Sequence, residues 1–180
     1  YEHIYKNMVN EYGSKRFYEE IIEVDCDTLT GIKITYINDP VGCLMVLFER
    51  GKIDKTKLYD NGSSLITSMA RNGRLKCLKY ARGNGCKWNV YACIYAAGNG
   101  YLDCLKYAHE NGCLWDESTC WSAASNGQLD CLKYARENGC PWNEHTCKHA
   151  VEHGHLDCLK YAHEHKCPYD KQDCLRRASN

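Results

Sequence analysis

One stretch of this chain is written repeatedly at a fixed step. Its clearest copy runs from Asn126 and Gly127 through Leu129, Asp130, Cys131, Leu132, Lys133, Tyr134 and Ala135 to Gly139, Cys140, Pro141 and Trp142. Cys131 recurs as Cys77, Cys104 and Cys158, and Cys140 as Cys86, Cys113 and Cys167. Trp142 recurs as Trp88 and Trp115, with Tyr169 in its place in the last copy. Each step is 27 residues, without insertion. A period of this length marks a stacked array. One short unit cannot bury its own apolar face, so each must be covered by the next.

Within a unit the residues spell two helices and two turns. Asp116 is a good N-cap for a first helix, and Asn89, Asn143 and Asp170 repeat it. Asn126-Gly127 ends that helix, because glycine takes the left-handed conformation without strain. A second helix follows from Leu129 to about Asn138, and Gly139 ends it. Leu129, Cys131, Leu132, Tyr134 and Ala135 make one broad apolar face, with Asp130 and Lys133 on the other. Ala96, Ala97, Ala123, Ala124, Ala150 and Ala178 let first helices lie close to their neighbours. Trp88, Trp115 and Trp142 stand just before the N-caps, where a hydrophobic staple residue belongs. The expected fold is all-α, an α-solenoid of stacked antiparallel helix pairs. It forms one domain over residues 1–180: degenerate units at 1–62, regular ones at 63–167, and a terminal half unit at 168–180 that is either a cap or the place where a longer array was cut.

The N-terminal third fits less cleanly. Helices are expected at about 4–12 and, capped by Ser14, at about 14–24. The run Ile32 to Ile37 alternates like a strand, but the register makes it the short first helix of its unit. The unit from Cys43 to Cys77 is 34 residues, its extra residues lying in a loop between Asp54 and Ser64.

Twelve of the 14 cysteines fall at three fixed places in the period. Equivalent residues on stacked helices stand roughly 8–10 Å apart, whereas disulfide Cα atoms must come within about 7 Å. A ladder of equivalent cysteines is therefore not expected, and the thiols read as small buried hydrophobes. Reduced thiols in such number point to the cytoplasm, with the nucleus as the alternative. The chain carries 23 basic and 23 acidic residues, a net charge of zero, which offers nucleic acid no electrostatic handle. No apolar run is long enough to span a bilayer, so no membrane partner is expected.

These units resemble ankyrin repeats. Gly154-His155-Leu156-Asp157-Cys158-Leu159-Lys160-Tyr161-Ala162-His163-Glu164 has the layout of the second ankyrin helix. Glu137-Asn138-Gly139-Cys140 has that of the turn after it, and Thr146 to Gly154 resembles the first helix and its glycine. Ankyrin repeats run about 33 residues. The shortfall lies between Trp142 and Thr146, where the β-hairpin finger and its Thr-Pro-Leu-His motif would stand. The short, Cys- and Trp-rich form resembles the ankyrin-like arrays of giant DNA viruses of amoebae and some protists. The resemblance covers residues 63–180 best. It implies an α-solenoid and a protein-binding role, with a host protein as partner and the host cytoplasm as location if the chain is viral.

Where the copies disagree, they disagree on the first helix and just before it. Tyr91 and Tyr95 in one copy give way to Glu117, Trp121 and Ser125 in the next, then to Glu144, His145, Lys148 and His149, then to Lys171 and Arg176. Variation on one helix of every unit fits a surface facing a partner protein, and equally fits solvated positions free to drift. Trp121 and Tyr95 favour contact, because exposed aromatics concentrate binding energy. His145, His149 and His153 are spaced four apart on one helical face, where a pair can chelate a transition metal. No acidic partner is apparent from the pattern, and neither metal nor cofactor is expected. No phosphate loop, Gly-x-Ser-x-Gly or His-Glu-x-x-His occurs, and equivalent cysteines repeated four times do not suit a single catalytic centre. The expected function is that of a non-enzymatic, monomeric protein–protein interaction scaffold. The competing reading is a metal- or redox-responsive Cys/His-rich protein.

Overall fold

The structure of the protein, a computed structural model, describes residues 64–172 and Arg176. The expected helices at 4–12 and 14–24, the run 32–37, the loop before Ser64 and Ala178 lie outside the described residues. Among the described residues, eight helices alternate with turns: α1 Leu65–Arg71, α2 Leu75–Gly83, α3 Val90–Gly98, α4 Leu102–Glu110, α5 Glu117–Ser125, α6 Leu129–Glu137, α7 Glu144–Glu152 and α8 Leu156–Glu164. The chain divides into two compact units, Tyr1–Met69 with Lys76–Lys87, and Ala70–Leu75 with Trp88–Asn180.

In the first unit, Leu65, Ile66 and Met69 of α1 and Cys77, Leu78 and Ala81 of α2 are buried, as is Cys86 after the helix. The second unit holds six helices in two rows. The first helices α3, α5 and α7 pack side by side, and α4, α6 and α8 pack on the other side of them, each joined to its own first helix. On α6, Cys131, Leu132 and Ala135 are buried, Leu129 and Tyr134 half-buried, and Asp130 exposed. That is the broad apolar face expected of a helix packed on three sides.

The turns repeat as faithfully as the helices. After α5, Gly127 sits at φ 68°. Its N–H donates to Ala124 O (3.3 Å), and the N–H of Gln128 to Ala123 O (2.9 Å). These two bonds are the Schellman pattern, which satisfies carbonyls the helix end leaves bare. A Cβ on Gly127 would also lie 2.6 Å from His155 Nδ1, so the imidazole of the next unit lies directly over the turn. At the equivalent point after α8 the left-handed residue is Lys166, at φ 59°, and the same two bonds form, from Lys166 N to His163 O and from Cys167 N to Ala162 O. Close approach also decides Gly98 inside α3, where a Cβ would collide with Ser122 Oγ of α5.

The caps follow the sequence with one exception. Asp116 accepts from Ser118 N at 2.9 Å, Asn143 from His145 N at 3.1 Å and Asp170 from Gln172 N at 2.8 Å. Asn89 holds the N-cap position of α3 in an extended conformation, yet its side chain makes no capping bond.

The tryptophans reach further than the staple expectation. Trp115 stacks on His109 of α4, rings 3.6 Å apart, and meets Tyr134 of α6 edge-on. Trp142 lies under Arg136 of α6 and meets Tyr161 of α8 edge-on. Trp88 meets Tyr107 edge-on and donates Nε1–H to Asn111 O at 2.8 Å. The rings thus tie second helices together, and Trp142 also packs against the cluster of Cys147, Ala162 and Cys167, which holds the fourth residue of its own first helix, as a staple does. An indole is long enough to reach the neighbouring helix, where it finds an aromatic edge and, for Trp88, a carbonyl that accepts its N–H.

All 11 described cysteines are buried free thiols. Those after the second helices have a specific task. Cys113 Sγ donates to Asn89 O, Cys140 to Asp116 O and Cys167 to Asn143 O, at 3.2 Å, 3.2 Å and 3.3 Å. Each therefore fastens the end of a second helix to the N-cap backbone of the first helix of its own unit. Each also hydrogen-bonds a first-helix thiol, giving the pairs Cys93–Cys113, Cys120–Cys140 and Cys147–Cys167. That shared bond, with burial second, pushes Cys93, Cys120 and Cys167 far above the usual thiol range.

Candidate partner-binding surface

The variable positions are carried by the row α3, α5 and α7, and two clusters form on it. In the first, Tyr91 and Tyr95 occupy successive turns of α3 and stack at 6.1 Å. The Arg71 guanidinium lies 3.6 Å from the Tyr95 ring centre, within cation–π range. Tyr91 is 49% exposed, while Tyr95 is half-buried. Arg71 was not among the expected site residues. It ends α1 at a place that does vary from copy to copy, since the equivalent places hold Gly98, Ser125 and Glu152, and Ser125 was among the expected residues.

The second cluster spans α5 and α7. The Trp121 ring lies 5.2 Å from that of His149. His145 and His153 flank His149, one turn before and one after, each with ring centres 6.2 Å away. Ser125 Oγ at the end of α5 is 3.4 Å from His153 Nδ1. The spacing of four does place the three imidazoles on one face. The expectation that no acidic group accompanies them is corrected: Glu152 Oε2 lies 2.9 Å from His149 Nδ1. Its position three residues after His149 was readable from the helix period.

Burial refines the picture of hot spots. Trp121 and Lys148 are half-buried, and the His149 side chain is 29% exposed. Part of each side chain is therefore seated on the array and part faces solvent. A side chain fixed this way loses little further freedom on binding. Glu117 and Glu144 open α5 and α7 as exposed acids of the first turn, where they complement the helix dipole. Lys171 and Arg176 are exposed beyond α8. None of these four is brought into either cluster by a described contact.

A scan against models of protein families found no match, and a search of curated proteins found none. Among solved structures the chain is similar to the crystal structure of the human ASB11 ankyrin repeat domain, with a TM-score of 0.64 at 16% identity. The match covers 76% of this chain and 67% of that one. The chain therefore has the ankyrin-repeat fold, an α-solenoid of helix pairs. Between Trp142 and α7 only Asn143 intervenes, so the units described here have no room for a hairpin finger. Among the described residues, no helix is long and apolar enough to cross a membrane.

Proposed function

We propose that this protein is a protein–protein interaction scaffold that grips a partner protein with the variable row α3, α5 and α7. The observation that carries the reading is the seating of aromatic and cationic side chains on that row: Tyr91 and Tyr95 beside Arg71, and Trp121 against His149. Tyr, Trp and Arg dominate binding hot spots. Here they stand on helices whose own packing is fixed by buried alanines and thiols. Glu117, Ser125, Glu144, His145, Lys148, Lys171 and Arg176 form the polar surround that sets specificity. The protein acts as a monomer in the cytoplasm, a placement supported by its many buried thiols, and its partner is a host protein if the chain is viral.

The test is affinity capture with paired variants. Trp121→Ala with His149→Ala removes the centre of the second cluster. Lys160→Ala with Glu164→Ala alters exposed residues of α8 on the other row. The first variant is expected to weaken partner retention about thirtyfold, the equivalent of a 2 kcal/mol hot spot, and the second to leave it unchanged. Equal retention by the first variant and the native chain overturns the reading.

A further inference from the structure

We infer that the C-terminal end of α7 is a binding site for one divalent transition-metal ion of the zinc class, held by His149, Glu152 and His153. One donor atom from each lies within 4.8 Å of the other two. Two imidazole nitrogens with one carboxylate oxygen is a set that suits zinc and its neighbours, and three protein ligands leave a coordination position open outward. Ligand atoms around tetrahedral zinc stand about 3.4 Å apart, from bonds of about 2.1 Å. His149 Nδ1 and Glu152 Oε2, at 2.9 Å, are already closer than that. The remaining separations, at most 4.8 Å, must close by no more than about 1.4 Å, within reach of an exposed side chain at a helix end.

Three further features distinguish this end of α7 from an ordinary polar helix terminus. The first is what His153 replaces. At the same place in the preceding units stand Asn99 and Asn126, whose side chains donate to Tyr95 O and Ser122 O, both at 2.9 Å. His153 keeps that bond, Nδ1 to His149 O at 3.0 Å. A carbonyl only accepts, so Nδ1 carries the hydrogen and Nε2 carries the lone pair. A ring N–H tied to a carbonyl with the other nitrogen bare is the arrangement in which metal-ligating histidines are held. The second feature is position. His153 is the C-cap of α7, where the partial negative charge of the helix end attracts a cation. The third is singularity: the equivalents of His149, Glu152 and His153 are Ser122, Ser125 and Asn126 in one unit and Tyr95, Gly98 and Asn99 in another. Framework residues recur at every step of the period, and this set does not. The site lies within the partner-binding row, so an ion held there with an open position can take a donor from the partner. Metal binding itself is measured on the isolated chain and stands or falls apart from that role.

The experiment is a calorimetric zinc titration of chelator-stripped protein, kept reduced, with native mass spectrometry for stoichiometry. The inference predicts one zinc per chain. His149→Ala, His153→Ala and Glu152→Gln each remove a ligand and should each weaken binding at least tenfold, no less than the loss of an outer partner does. His163→Ala, an exposed histidine elsewhere, should change nothing. Cobalt bound in place of zinc should show a visible ligand-field band without the near-ultraviolet charge-transfer band of a thiolate. The touched side chains are exposed or half-buried, and circular dichroism verifies that the variants fold. No stoichiometric binding overturns the inference. So does one zinc whose affinity survives His149→Ala with His153→Ala, or a cobalt complex with thiolate charge transfer.

Discussion

Gly127 makes two demands at once, and a pair of substitutions separates them. Gly127 and Gly139 both hold positive φ, 68° and 85°. A Cβ at Gly139 meets nothing within 4 Å, whereas at Gly127 it lies 2.6 Å from Nδ1, 2.9 Å from Cε1 and 3.1 Å from Cγ of His155. Gly139→Ala should therefore cost only the left-handed strain of an L-residue, about 1–2 kcal/mol. Gly127→Ala carries the same strain and must also push the imidazole off the turn. Three ring atoms are too close for a small rotation to relieve, so the ring must swing away and its packing on the turn is lost, about 1–3 kcal/mol more. Urea unfolding monitored by circular dichroism reads both, and the m-value reports whether the array still melts cooperatively. In Gly127→Ala with His155→Ala the extra penalty should disappear, leaving the two glycine sites equal to within about 0.5 kcal/mol. If Gly127→Ala and Gly139→Ala are equally destabilising with His155 in place, the stacking of each unit on the preceding turn is not what the structure implies.

Other expectations follow from the same geometry. Lys166→Gly should stabilise the protein by about 1 kcal/mol, because a lysine now bears the left-handed conformation; a thermal melt shifted downward would contradict this. Asp116→Ala should cost about 0.5–2 kcal/mol and Asn89→Ala clearly less, since only the first loses a capping bond; denaturant midpoints rank them. Leu132→Ala should cost about 2–5 kcal/mol, and Asp130→Ala, exposed on the same helix, within about 0.5 kcal/mol, both read by urea unfolding. Burial, and secondarily the adjacent carboxylates, push Cys131 up to about 12 and Cys158 to about 11. The folded thiols keep their protons while the unfolded ones lose theirs from about pH 9. Their contribution is intact below that and is lost as pH rises, by up to about 1.4 kcal/mol per thiol per pH unit. Stability measured between pH 9 and 11 should fall less steeply in Cys131→Ala with Cys158→Ala than in the native chain.

The period, the turns and most caps were legible because each rests on chemistry within a few residues. An Asn-Gly pair, an acidic N-cap or an apolar face at helical spacing means the same in every copy. What depended on residues far apart was not legible. Cys93 and Cys113 are 20 residues apart, and comparing equivalent cysteines could not show that different ones meet. The staple rule pairs a residue with its own helix, and it gave no sign that Trp115 also meets His109 of α4 and Tyr134 of α6. On the candidate surface, disagreement among copies located the row α3, α5 and α7. It could not show that Trp121 is seated on His149, nor that Arg71 covers Tyr95, because both contacts cross from one unit to the next. Glu152 was within reach of simple helical spacing. Its significance emerged only once His153 proved to be the cap that brings the helix end, the carboxylate and both imidazoles together.

The claim that the variable row is the binding surface is tested most directly by hydrogen exchange on the captured complex. With the partner bound, amides of α3, α5 and α7 and the N-terminal turns before them should exchange more slowly than in the free protein. Those of α4, α6 and α8 should be unchanged. Protection centred on α4, α6 and α8, with the first helices exchanging as in the free chain, would contradict the account.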